Sequence, residues 1–134
     1  KQLERYPGLL QRRAEIIHRY DAALKPLGVE TLTHFGEDYR SSGHLYITRV
    51  PNITEQQRND IIVKMAEREI ACNVHYKPLP MMTAYKTLGF DIEDYPNAYK
   101  HYVNEITLPL HTKLSDEDVA YVIENFTKIL KEYL

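Results

Sequence analysis

The run His44-Leu45-Tyr46-Ile47-Thr48-Arg49-Val50, followed by Pro51 and Asn52 and then by Thr54-Glu55-Gln56-Gln57, leaves the backbone little choice. Aromatic and β-branched residues recur at the period of a strand, and Pro51 cannot donate to a ladder, so the extended segment ends there. Thr54 and Gln57 form a capping box: the Thr hydroxyl accepts from a first-turn N–H, and the Gln side chain reaches back to the Thr N–H. The spacing predicts a strand over 44–50 and a helix over 54–69, with Ile61, Ile62, Met65 and Ala66 on its apolar face. The next apolar stretch, 71–76, is short enough to be a second strand. Strand, helix and strand within about thirty residues make a crossover unit.

The flanking segments add helices. Leu10, Ala14, Ile17, Tyr20 and Leu24 recur at helical spacing while Arg12, Arg13, Glu15, Arg19 and Asp21 fill other faces, which predicts a helix over 9–24 stopped before Pro26 and Gly28. Residues 30–43, with Gly36, Gly43, serines and charges, hold no sustained period and read as a loop with at most a short strand. Residues 82–88 suit a short helix closed by Gly89, and 91–97 a polar loop. Glu105-Ile106-Thr107-Leu108 reads as a third strand, which Pro109 marks as a strand end or an edge. Ser115 and Asp118 repeat the capping logic ahead of a stripe of Val119, Val122, Ile123, Phe126, Ile129 and Leu130. The expected class is α+β, with helices packed on a short sheet around one core.

Several functions are disfavoured. A net charge of −2 over 134 residues provides no broad basic field for nucleic acid. No apolar run approaches the roughly 20 residues that cross a bilayer. Cys72 stands alone, reads as a buried thiol and fits a reduced, cytoplasmic setting. His18, His34, His44, His75, His101 and His111 show no zinc-helix spacing and no cysteine pair to join them, so no metal site is expected. No Gly-Xaa-Ser-Xaa-Gly elbow or glycine-rich phosphate cradle is present. Asp91, Glu93 and Asp94 read as solvated loop charge.

His75-Tyr76, stiffened by Pro78 and Pro80, is the stretch left over. Strand alternation would send the two rings to opposite faces. Imidazole and phenol both hydrogen-bond polyhydroxylated or phosphorylated ligands. The residues alone leave two readings open, a ligand contact and a structural strand end.

The blocks "HRYDAAL", "SSGHLYITRV", "VHYKPL", "AYKTLGF", "DYPNA" and "ITLPLHTKLSDEDVAYVIENF" resemble, in order and spacing, the C-terminal portion of the DegT/DnrJ/EryC1/StrS sugar aminotransferases, over nearly the whole chain. The resemblance implies the small domain of a fold type I pyridoxal-phosphate enzyme, with a short, mostly antiparallel sheet, one crossover unit and packed helices. It implies a full-length protein that moves an amino group from glutamate to a keto sugar nucleotide, in amino-sugar and cell-surface polysaccharide biosynthesis. The Schiff-base lysine and the pyridoxal-phosphate contacts would belong to a larger N-terminal domain. Residues 1–28 would then be the helix leading out of that missing domain, and 29–134 the small domain. No catalytic or cofactor-binding residue, and no transamination, is expected of this chain alone.

Homodimers with active sites at the subunit interface are likewise implied by the resemblance, as are nucleotide-sugar and glutamate partners. It places His75, Tyr76 and His44 on the substrate side. Pro80 departs from the family pattern, where a second histidine is common. A freestanding α+β ligand-binding or dimerisation module remains the alternative. A preceding segment of roughly 230 residues or more that carries the cofactor lysine would separate the two.

Overall fold

Gly28 closes the first helical segment with φ +80°, a left-handed conformation that costs a residue without a Cβ little. In the computed structural model, which describes residues 1–134, α1 spans Gln2–Leu24 and is followed by one tight 3-10 turn, Lys25–Leu27. The helix begins earlier than its apolar stripe because residues 1–8 are exposed and carry no stripe to read. Its buried residues are Ala14, Ile16, Ile17, Tyr20 and Leu24.

Three short antiparallel strands form the sheet, in the order β1 (Glu30–Thr31), β2 (Tyr46–Arg49), β3 (Glu105–Leu108). In the β2–β3 register Tyr46 faces Leu108, Ile47 faces Thr107, Thr48 faces Ile106 and Arg49 faces Glu105. Tyr46 and Thr48 are buried against the helices, whereas Ile47 and Arg49 on the other face are only partly covered. All four β3 residues are buried.

The strand expected over 71–76 is reduced to one bridge, in which Asn73 pairs antiparallel with Thr107. A side chain takes the N–H group that would have extended the ladder onto β3, that of His75. The Val74 N–H donates to Asn73 Oδ1 (2.8 Å) and the His75 N–H to Glu105 Oε2 (2.8 Å), so neither needs a backbone partner. The segment still runs parallel to β2 on the far side of β3, so the crossover through α2 (Glu55–Ala66) survives in outline. Flanked on both sides, β3 is not an edge, and Pro109 marks its end.

Both capping boxes are present. Thr54 and Gln57 open α2 with reciprocal bonds of 3.2 and 2.8 Å, and Ser115 and Asp118 open α5 (Asp116–Leu130) with bonds of 3.0 and 2.8 Å. A short helix α3 (Thr83–Lys86) precedes Gly89, as the spacing indicated. The expected loop over 91–97 is instead a turn, Ile92–Asp94, leading into α4 (Pro96–Val103), with Pro96 at the first helical position, where its missing N–H is harmless. No α4 residue is fully buried, which is why no stripe announced the helix.

The core lies between one sheet face and α1, α2 and α5, around Tyr20, Tyr46, Ile61, Ile106 and Phe126. Each fully buried apolar side chain there contributes roughly 1.5–3 kcal/mol relative to exposure. The opposite sheet face, between β1 and α4, is open.

Candidate functional site

That open face is a cleft of about 320 Å³. Its floor is Ile47 and Arg49 of β2 with Glu105 of β3; β1 supplies one wall, and the other comes from the His75–Pro78 segment and α4. Strand alternation explains the floor: directly opposed residues such as Arg49 and Glu105 point to the same face, away from the core. Arg58 of α2 fixes the α4 wall. Its guanidinium is 1% exposed, donates to the carbonyls of Tyr102 (3.1 Å) and Glu105 (3.4 Å), and lies 4.7 Å from the Tyr102 ring centroid. The Tyr102 hydroxyl donates to Glu55 Oε1 at 2.9 Å, and burial with this bond pushes the phenol pKa up.

His75 and Tyr76 both line this cleft, with ring centroids 4.6 Å apart at 80°. They therefore do not diverge to opposite faces, because the segment is not a strand there; the peptide bond between them is cis. His75 Nδ1 is 3.0 Å from Thr107 Oγ1, and Tyr76 is 72% exposed. His44 stands apart from the pair, exposed just before β2 and outside the cleft wall. Pro80 is buried in a neighbouring apolar hollow of about 430 Å³, among Tyr85, Phe90 and Tyr95, and does not touch the cleft.

Sequence reasoning missed Arg49, His101, Glu30 and Glu105. Arg49 Nη2 pairs with Glu30 Oε2 at 3.2 Å, and its Nη1 meets His101 Nδ1, so one guanidinium links β1, β2 and α4 across the cleft. The alternation of β2 places Arg49 and Ile47 on one face but does not say which face is open. Elsewhere, Cys72 is half-buried and burial pushes its thiol up to about 12, which leaves it an inert packing residue. No group of three or more His, Cys, Asp or Glu is placed to hold a metal ion, and no helix is long and apolar enough to cross a membrane. The arrangement can bind and orient an anionic, hydroxyl-bearing ligand: a fixed guanidinium, two imidazoles and an exposed phenol converge on it.

The family model for the DegT/DnrJ/EryC1/StrS aminotransferases matches residues 1–127. The chain belongs to this family. Among curated relatives, the spore coat polysaccharide biosynthesis protein SpsC of Bacillus subtilis is 32% identical, over 97% of this chain and 34% of its own length. The UDP-4-amino-4,6-dideoxy-N-acetyl-beta-L-altrosamine transaminase of Helicobacter pylori is 30% identical, over 98% of this chain and 35% of its own. Among solved structures, the PLP form of Spr1654 from Streptococcus pneumoniae, assigned as a sugar aminotransferase, superimposes with a TM-score of 0.95 and 55% identity. That match covers 99% of this chain and 34% of Spr1654. The chain thus spans about a third of the DegT/DnrJ/EryC1/StrS relatives it matches. The architecture of this aminotransferase segment is accordingly that of PLP-dependent enzymes.

Pyridoxal phosphate does not fit this segment alone. Its chemistry requires a lysine amine, and no lysine lines the cleft.

Proposed function

We propose that this chain is the substrate-side domain of a pyridoxal-phosphate-dependent aminotransferase that transfers an amino group from glutamate to a keto sugar nucleotide. The supporting observation is the convergence of His75 and Tyr76 with Arg49 and His101 on one open cleft, in a chain whose family resemblance runs almost end to end. Arg49 supplies a fixed positive fork for the diphosphate, while His75 and Tyr76 meet the sugar. His44 acts from outside this cleft, against a part of the substrate or a neighbouring subunit. In this reading residues 1–28 lead from a large N-terminal domain that brings the lysine and the cofactor, 29–134 close over the sugar nucleotide, and two subunits share each site. The isolated chain moves no amino group. The lone Cys72 agrees with a cytoplasmic setting.

The test is spectroscopic and uses the full-length protein. Bound pyridoxal phosphate gives a visible absorption band that glutamate bleaches and a keto sugar nucleotide restores. A protein that takes up no pyridoxal phosphate at saturating cofactor refutes the reading.

A further inference from the structure

Glu105 is an acid in the middle of a sheet, 4% exposed, and both of its carboxyl oxygens are used. Oε2 accepts the backbone N–H of His75 at 2.8 Å, which holds the main chain of the His-Tyr pair against β3. Oε1 accepts the hydroxyl proton of Thr107 at 2.5 Å. Thr107 is two residues along the same strand, so both side chains stand on the cleft face. The Thr107 oxygen is in turn 3.0 Å from His75 Nδ1.

Counting protons fixes the direction of this chain of bonds. A carboxylate has none to give, a hydroxyl has one, and a neutral imidazole has one to share between two nitrogens. The Thr107 proton is committed to Glu105, so Thr107 Oγ1 can only accept from His75. The imidazole proton therefore sits on Nδ1, and Nε2, which has no partner within the chain, carries a bare lone pair on a cleft-lining ring. A lone pair attracts a hydroxyl or amide N–H and repels a phosphate oxygen, which offers no proton.

We infer that Glu105 and Thr107 are positioning residues that lock His75 as its Nδ1–H tautomer, so that Nε2 selects a hydrogen-bond donor on the sugar, a hydroxyl or an acetamido N–H. The ligand half of this inference rests on the function proposed above; the tautomer half rests on the geometry alone. It also divides the cleft chemically. Arg49 is the site for the charged part of the ligand, and His75 is the site for its neutral donors.

Two measurements on the full-length protein test the two halves separately. In long-range 15N–1H NMR of histidine-labelled protein, with His75 assigned by its loss in His75→Gln, Nδ1 should be protonated and Nε2 should not. Thr107→Ser should preserve that pattern. Thr107→Val removes the acceptor and should release it. Glu105→Gln should reverse it, since an amide that still accepts from the His75 N–H must donate to Thr107. Protonated Nε2 in the wild type, or a tautomer indifferent to both Thr107→Val and Glu105→Gln, overturns the positioning role, whatever the enzyme does with pyridoxal phosphate.

Calorimetric titration with UDP and with UDP-N-acetylglucosamine tests the recognition half. Thr107→Val should cut the advantage of the sugar-bearing probe about tenfold, the scale of one lost hydrogen bond, with UDP affinity unchanged and Thr107→Ser restoring the advantage. A wild type that does not favour the sugar-bearing probe, or a variant that loses both probes equally, overturns it. If the tautomer is found as described but no pyridoxal phosphate binds, the proposed function falls and the positioning role stands.

Discussion

Arg49 and Glu105 stand directly opposite each other across the β2–β3 ladder and both face the cleft. Their side chains nonetheless serve different partners. Arg49 reaches outward to Glu30 of β1 and His101 of α4, whereas Glu105 turns along its own strand to Thr107 and to the His75 backbone. The floor of the cleft thus carries a positive group held by its rim and a negative group already consumed by hydrogen bonds. With the Glu30 carboxylate also on the rim, the Arg49 guanidinium is the group among these three that an anionic part of a ligand can meet.

Replacing Arg49 by Met should therefore affect binding far more than folding. Its ion pair with Glu30 is partly solvated, and such pairs contribute about 0–1 kcal/mol to stability. A guanidinium that meets a phosphate makes charge-assisted bonds instead, and its loss should weaken UDP binding by the full-length protein about 10- to 100-fold. Titration calorimetry checks this against an unchanged urea midpoint. Arg49→Lys should recover only part of the affinity, because a point charge does not reproduce the fork.

Arg58 reverses that balance. It is buried, and its guanidinium satisfies two carbonyls, from Tyr102 and Glu105, that lie at the junction of α4 and β3. Arg58→Met should leave those carbonyls without their donor and the nearby Glu55 with the Tyr102 hydroxyl alone, at a cost of about 3 kcal/mol. Urea unfolding of the 134-residue chain measures the loss. An effect below about 1 kcal/mol would mean that water replaces the guanidinium.

How much of this was legible depends on the range of each interaction. The two capping boxes were readable because donor and acceptor lie three residues apart, and α5 was readable because its stripe is continuous from Val119 to Leu130. The segment 71–76 was misread because the group that prevents its ladder, Glu105, lies thirty positions away from His75. Helix α4 was invisible for the opposite reason: none of its residues is buried, so periodicity had nothing to report. In the site, the His75-Tyr76 pair was marked by its motif. Arg49 was hidden by the ambiguity between sheet faces, His101 by the missed helix, and Glu105 by an apolar strand in which an acid looks out of place.

Ser115→Ala isolates the contribution of one cap. The Ser hydroxyl accepts from the Asp118 N–H at 3.0 Å, and the Asp118 carboxylate accepts from the Ser115 N–H at 2.8 Å, which holds the Asp118 pKa below its ordinary value. Removing the hydroxyl should cost about 1 kcal/mol, and Ser115→Gly less. Denaturant midpoints of the two variants and the wild type give the comparison. Equal losses for Ala and Gly would point to packing instead of capping.

His34 gives the fold a predictable response to acid. Its ring is 4% exposed, lies flat on Tyr46 at 5.9 Å and 9°, and neither ring nitrogen has a partner. Burial pushes its pKa below the ordinary histidine value; nearby Asp21 pulls the other way and Lys25 adds to the push. The unfolded chain therefore binds the proton more readily than the folded one. The contribution of His34 to stability is complete above the unfolded value of about 6.5 and is lost as pH falls from there toward the lower folded value. His34→Phe keeps the stack on Tyr46 and removes the titration. The variant should match the wild type near neutrality and lose less stability between about pH 6.5 and pH 5, above the range in which most carboxylates protonate. Urea midpoints at several pH values decide the point: parallel curves for the two proteins would show that His34 takes up its proton without opposing the fold.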